Sequence, residues 1–332
     1  MSSEFNLIDK FFVHGNLTRE DVDLGIGDDC ALVTVPENHQ VAITTDTLAA
    51  GTHFLATANP ISVGYKALAS NLSDVAAMGA KPTWVSLALT LPEPDEEWLN
   101  GFCEGFFGLA KQHHVQLIGG DTTKGPLSIT ITVQGILPRG EALTRKGAKA
   151  GDDIYVTGLL GDSAAGLEVL LNTSKQIKTE LELELERRHY YSVPRVELAQ
   201  RLRHLCHSAL DISDGLISDL AHILKQSNVS ACIDVDQLPI SDELMQYFFG
   251  SREQCQKTAL TSGEEYELCF TAPKENRDAI KQITTLLNQN VSIIGEIVDE
   301  SFTNIQDSVQ LHRKMSKLDW TLHGYDHFRS NI

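Results

Sequence analysis

The feature that most constrains this chain is an alternation of strand-like and helix-like runs that occurs twice, on either side of a basic, glycine-containing connector. In the first half, 40–46 (QVAITTD) alternates apolar and polar residues as a half-buried strand does. The run 62–78 (SVGYKALASNLSDVAAM) sets Val63, Ala67, Leu68, Leu72, Val75 and Ala76 at helical spacing, with Ser62 available as its cap. Strand-like 84–91 follows, then a helix over 95–114 behind Pro94 and acidic residues. A short apolar strand at 115–118 runs into Gly119, Gly120 and Asp121, and 127–137 alternates strongly. Beyond the connector, strands are predicted at 154–157, 231–235, 267–271 and 291–297, and helices at 163–171, 195–206, 216–227 and 274–288. The acidic, leucine-rich run 180–188 reads as a solvated helix face or loop. The pattern predicts an α/β (α+β) fold in two domains, 1–148 and 149–332, a division that suits a chain of 332 residues.

Composition narrows the function. Asp and Glu number 45 against 27 Lys and Arg, a net charge of −18, which excludes a nucleic-acid surface and an anionic membrane as partners. No run approaches the roughly 18 apolar residues of a membrane span, and Glu4 and Asp9 interrupt any leader-like core. The six cysteines are scattered without a CxxC pair, so reduced thiols in a cytoplasmic protein are expected.

Most carboxylates in such a chain are solvation. Those that end a strand or follow glycine are aimed differently, and five places qualify: Gly25–Asp29 (GIGDD), Thr44-Thr45-Asp46, Asn71–Asp74 (NLSD), Gly119-Gly120-Asp121 and Asp211–Gly215 (DISDG). Each alone has an ordinary reading. Asp28-Asp29 fits a turn, Asp46 a cap, Asp121 an Asx-turn, and Asp211 or Asp214 a cap for the helix near Leu216. Asp74 resists this, because Leu72, Val75, Ala76, Ala77 and Met78 leave little polar face around it. A carboxylate so placed pairs with a cation or shifts its pKa. Were these groups to converge, each pair of charges about 4 Å apart would repel by about 4 kcal/mol at an effective dielectric near 20. No Lys or Arg is interleaved with them, so the compensating cation is a metal. Asp and Thr offer oxygen ligands, which suit Mg²⁺, and Mg²⁺ shared with substrate phosphates points to phosphoryl transfer. The usual phosphate devices are missing: there is no GxxxxGK[ST] loop and no HRD…DFG set, and Gly25-Ile26-Gly27 is followed by two Asp that would repel a pyrophosphate.

Nine motifs in order, from GIGDDCA (25–31), TTDTL…GTHF (44–54) and YKALASNLSDVAAMGAKP (65–82) through LIGGDTT (117–123), LTRKGAKAGD (143–152) and VTGLLGDSAAGL (156–167) to DISDGL (211–216), SGEEYEL (262–268) and GYDHF (324–328), resemble the thiamine-monophosphate kinase family, in the superfamily typified by aminoimidazole ribonucleotide synthetase. The resemblance spans nearly the whole chain. It implies a PurM-like two-domain ATP-binding fold, a homodimer built from the N-terminal domains, several Mg²⁺ ions, and transfer of the γ-phosphoryl of ATP to thiamine monophosphate. By matching motif it implies metal positions at Asp29, Thr44, Thr45, Asp46, Asp74, Asp121, Asp211 and Asp214, with Asp74, Asp121 and Arg145 catalytic. It also implies ATP contacts at Gly120, Asp121, Arg145 and Ser213, and thiamine-side contacts at His53, Glu264, Tyr325 and Phe328. One departure stands out. The family usually carries Gly-Gly-Asp/Glu-Asp-Tyr where this chain has Ser262-Gly263-Glu264-Glu265-Tyr266, which adds a Cβ and lengthens one carboxylate arm. Two alternatives are another ATP-dependent synthetase of the superfamily and a non-catalytic Mg-nucleotide-binding protein. Selenophosphate and hydrogenase-maturation branches are disfavoured because Cys30 lies inside GDDC and the last residues are Arg329-Ser330-Asn331-Ile332.

Overall fold

The structure is a computed structural model that describes residues 7–172, 177–299, 308–314 and 316–325. It divides into two compact units, Met1–Ala142 and Leu143–Ile332. The connector from Leu143 belongs to the second unit: the Thr144 carbonyl accepts from Ala209 N, and Ser227 Oγ accepts from both Gly147 N and Ala148 N at 3.1 Å.

In the first unit, a small ribbon of β1 (Val22–Leu24) and β2 (Leu32–Val33) precedes a four-stranded sheet. Its order is β3 (His39–Ala49), β6 (Ser128–Pro138), β4 (Lys81–Leu91), β5 (Gln116–Lys124), antiparallel except between β4 and β5. Helices α1 (Pro60–Ala77) and α2 (Glu96–Gln112) pack together on one face. The start of α1 corrects the expected cap. Asn59, not Ser62, caps it through Ile61 N, because Pro60 takes the first helical position where its missing N–H costs nothing. Ser62 is instead buried one turn inside. α1 crosses α2 with backbones almost touching: a Cβ on Gly64 would lie 2.1 Å from the Phe102 carbonyl oxygen, and one on Gly105 would lie 1.9 Å from that of Ile61. That contact, with Leu68, Leu72, Phe102 and Phe106 fully buried, fixes the helix that carries Asp74. Each such side chain contributes about 1.5–3 kcal/mol of burial.

The second unit has a seven-stranded sheet in the order β13 (Ser316–Lys317), β12 (Val309–Arg313), β9 (Ser230–Asp234), β11 (Val291–Val298), β7 (Asp153–Thr157), β10 (Leu268–Ala272), β8 (Ser208–Asp211). Around it lie α3 (Asp162–Leu171), α4 (Glu180–Tyr190), α5 (Val196–Leu202), α6 (Leu216–Ser227), α7 (Asp242–Tyr247), α8 (Arg252–Thr261) and α9 (Arg277–Leu286). α6 buries Leu216, Leu220, Ile223 and Leu224 in the core, which anchors the loop that leads into it. Predicted helix 195–206 is shortened to α5, and 274–288 opens as a 3-10 turn before α9. Among the described residues, no helix is long and apolar enough to cross a membrane.

Candidate active-site residues

In the first unit the group around Asp74 follows from two periodicities. Strand alternation puts Thr44 and Asp46 on the same face of β3, the one opposite α1. Four-residue spacing puts Ser70 and Asp74 together on α1. The Thr44 hydroxyl donates to Asp74 Oδ2 at 2.5 Å, and the Ser70 hydroxyl donates to Asp46. Burial, and then the charge of Asp74, push the Asp46 carboxyl up to about 6, against the pull of the Ser70 hydrogen bond. Two carboxylates and two hydroxyls thus face one another in a half-buried setting that disfavours two negative charges. Such an oxygen-only donor set fits a hard divalent cation. Thr45 does not join them: it lies on the other sheet face, where its hydroxyl is 2.8 Å from that of Thr132.

The other first-unit residues fall in two places. Asp29, Gly120 and Asp121 line a cavity of about 750 Å³, together with Gly27, Asp28 and Cys30 from the loop and Ser86 and Leu87 from β4. β5 runs straight through the glycines instead of stopping before them, because Gly120 has no side chain to clash. A Cβ there would sit 1.8 Å from the Leu87 carbonyl oxygen. His53 lies in the turn after β3, where its Nδ1 accepts from Ala49 N at 3.1 Å and its carbonyl takes the Nζ of the buried Lys66. Among the described residues, no three His, Cys, Asp or Glu side chains gather as a ready-made metal cage.

In the second unit the organising element is the loop between β8 and α6. Asp211 ends β8, and Ser213 and Asp214 lie in the loop that follows. Neither Asp211 nor Asp214 caps α6; Gly215 holds that position without a side-chain bond. The loop is held from behind by Asp219, on the buried face of α6, whose Oδ2 accepts from Ser213 N at 3.0 Å and Asp214 N at 2.9 Å. Burial raises the Asp219 carboxyl to about 7; the Asp214 N–H bond opposes this, the Asp214 charge adds to it, and Arg145 acts the other way. Arg145 also lowers His222, whose shift comes first from burial, and the Arg145 carbonyl accepts from the Ser227 hydroxyl at 3.4 Å at the end of α6. The loop's outward carbonyls then receive two further segments. Tyr266 N donates to Ile212 O and Glu264 N to Ser213 O, while Tyr325 N donates to Asp214 O. Gly324 is needed for the last contact, since a Cβ would sit 2.3 Å from the Asp214 oxygen and 2.5 Å from Ser218 Oγ. Asp211, Ser213, Asp214, Glu264 and Tyr325 are therefore gathered around one loop. Phe328 lies outside the described residues.

The unusual SGEEYEL run has a local explanation. Glu265 is buried, and its Oε1 accepts from Gly161 N at 2.7 Å and from the Ser262 hydroxyl at 2.5 Å. Ser262 Oγ also accepts from Ala164 N at 3.2 Å, so the added hydroxyl and the longer carboxyl arm serve each other while tying this loop to the start of α3. Burial raises Glu265 to about 8, with its two hydrogen bonds opposing. Glu267 forms a two-pronged pair with Arg195.

Known proteins resemble this chain across both units. A family model described as AIR synthase related protein, N-terminal domain, matches residues 27–137, and its C-terminal counterpart matches 149–308. The chain is 49% identical over 327 residues to the thiamine-monophosphate kinase of Escherichia coli (strain K12), covering 98% of each. A crystal structure of thiamine-monophosphate kinase from Stenotrophomonas maltophilia K279a matches with a TM-score of 0.84 at 43% identity, over 95% of this chain and 98% of that one. The structure of AaThiL complexed with AMPPCP and TMP matches with a TM-score of 0.77 at 32% identity, over 98% and 97%. The two-domain mixed α/β architecture, the ordered motifs and these relatives together assign the chain to the thiamine-monophosphate kinase family.

Proposed function

We propose that this chain transfers the γ-phosphoryl group of ATP directly to the phosphate of thiamine monophosphate, giving ADP and thiamine diphosphate. The observation that carries this reading is the near-complete match to a thiamine-monophosphate kinase at 49% identity. It is supported by the likeness to AaThiL, which was solved with AMPPCP and TMP. The acceptor oxygen belongs to a phosphate that is already ionised, so little general-base work is required. The barrier lies in bringing two anionic groups into line.

Asp29, Thr44, Asp46, Asp74 and Asp121 in the first unit, and Asp211 and Asp214 in the second, are the residues we assign to Mg²⁺; Thr45, turned to the other sheet face, is left out. The Asp46 carboxyl, held up to about 6 beside Asp74, is what a divalent cation would relieve. When bound, Mg²⁺ supplies charge neutralisation for the phosphates. Gly120, Asp121, Arg145 and Ser213 are assigned to ATP, with the Arg145 fork on a phosphate. Asp74, Asp121 and Arg145 are the catalytic group. His53, Glu264, Tyr325 and Phe328 are assigned to the thiamine side, where a carboxylate and an aromatic ring suit a cationic heterocycle.

We also assign a homodimer through the first unit. The face of β3 turned away from α1 leaves Ile43 68% exposed, beside Val41. Light scattering that returns the mass of one chain at micromolar concentration would overturn that assignment. The working compartment is taken as the cytoplasm, in keeping with six free cysteines. Mixing protein, Mg²⁺, ATP and thiamine monophosphate tests the activity: ADP and thiamine diphosphate should form in equal amounts. ADP without thiamine diphosphate would identify a hydrolase, and ATP bound but not consumed would identify a nucleotide-binding protein.

A further inference from the structure

Glu264 is held in an unusual way. Its backbone is left-handed, with φ +58°, and its N–H is fixed on Ser213 O at 2.7 Å. A non-glycine residue in that region is kept there by its surroundings. Its carboxylate leads inward to a histidine of α4: His189 Nε2 lies 3.7 Å from Glu264 Oε2, and the histidine side chain is only 2% exposed. At the other side of the ring, Nδ1 lies 3.0 Å from Ser163 Oγ. Nδ1 also lies 3.1 Å from the Ser163 carbonyl oxygen, so hydroxyl and carbonyl of one residue fix the ring on that side and leave Nε2 turned toward the Glu264 carboxylate.

The support behind this ring is rigid. α4 crosses α3 closely enough that a Cβ on Gly166 would lie 2.3 Å from the Leu185 carbonyl oxygen and 2.9 Å from His189 Cβ. Arg188 pairs with Asp162 at 2.6 Å, which fixes the residue before Ser163. Glu265 and Ser262 bind the same turn through Gly161 N and Ala164 N. Serine, histidine and glutamate therefore form a line from the start of α3 to the loop that carries Glu264, and each member is held independently of the others.

We propose that His189, braced by Ser163, is a positioning residue that orients the Glu264 carboxylate toward the substrate's thiamine moiety. The proposal rests on the assignment of Glu264 to that substrate. His189 touches neither phosphate nor nucleotide in this scheme, so its loss weakens one substrate and spares the other. A buried histidine whose only duty is packing would behave differently: its replacement would lower stability and move all kinetic constants together.

The test is a double-mutant cycle on the full-length protein, reading KM for thiamine monophosphate, KM for ATP, kcat and melting temperature. E264Q and H189F are each expected to raise KM for thiamine monophosphate about tenfold, with KM for ATP within about twofold of wild type. H189Q, whose amide keeps a polar group facing Glu264, should recover most of the loss. The double variant E264Q/H189F should be no worse than E264Q alone, because the histidine acts through the glutamate. S163A, which keeps the ring and the carbonyl behind it but removes the bracing hydroxyl, should shift the same constant in the same direction by a smaller factor, and it carries the test if H189F does not fold. If E264Q raises KM while H189F and S163A leave it unchanged, or if the effects of E264Q and H189F multiply, the positioning role is wrong and the assignment of Glu264 stands. If E264Q leaves KM unchanged, the assignment of Glu264 fails, and the role of His189 fails with it.

Discussion

Replacing Asp219 with alanine should damage the second unit more than any surface carboxylate would. The side chain is 4% exposed, and one of its oxygens takes both Ser213 N and Asp214 N. Truncation strands two half-buried donors at about 1–3 kcal/mol each, partly offset because a carboxyl that is costly to bury is removed as well. A net loss of about 2–4 kcal/mol follows, or roughly 4–16 °C in melting temperature for a unit of this size. Asp219→Asn keeps an acceptor and should lose less than half of that. The pH dependence has a definite sign. The folded state holds the Asp219 proton up to about 7, whereas the unfolded chain releases it near 3.8, so the folded state binds more protons across that window. Wild-type stability contributed by this group therefore falls as pH rises from about 4 to 7, and an asparagine feels none of it. Thermal unfolding without added Mg²⁺ should accordingly show D219N gaining on wild type between pH 5 and pH 8. An alanine variant within about 0.5 kcal/mol of wild type, or an asparagine variant that loses ground as pH rises, would refute this reasoning.

Three further outcomes follow from neighbouring contacts. Glu265→Gln should be close to neutral at pH 7, where the buried carboxyl is held protonated up to about 8 from an ordinary 4.5. By the same linkage, wild type should lose stability relative to the glutamine variant as pH rises toward 9, checked by unfolding at pH 6 and pH 9. Gly324→Ala would force a Cβ to 2.3 Å from the Asp214 oxygen, so the Tyr325 N–H should be displaced. KM for thiamine monophosphate should rise several-fold with little change for ATP in steady-state kinetics. Chelation should abolish nucleotide binding, because carboxylates freed of Mg²⁺ repel phosphate; calorimetry showing comparable ATP affinity in excess EDTA would contradict the metal assignment.

How far the sequence reveals the site depends on which periodicity carries each residue. A carboxylate among apolar neighbours must find a partner or shift its pKa, which singles out Asp74 in the sequence. The Thr44 hydroxyl donates to it, and across from it burial raises the Asp46 carboxyl. The same constraint applies to Asp219, which lies on the face of α6 shared by Leu216, Leu220 and Ile223, so its spacing in the sequence already marks it. α6 itself was readable to the residue, since its apolar spacing is strong and Gly215 precedes it. Thr44 and Thr45 were inseparable by motif, and only the position of α1 over one sheet face tells them apart. The run 180–188 read as solvated because its charges dominate. Its role at Asp162, and that of the adjoining His189 at Glu264, depends on how closely α4 crosses α3, a tertiary contact with no local signature. The partnership of Ser262 with Glu265 looked like two separate departures because the chain gives no hint that both meet Gly161 and Ala164.

The central claim is direct transfer between two phosphorylated substrates, and γ-labelled ATP tests it most plainly. After one turnover with thiamine monophosphate and Mg²⁺, the label should reside in the terminal phosphate of thiamine diphosphate, with none on the protein. Label recovered as inorganic phosphate, or as a phosphorylated side chain, would contradict the account.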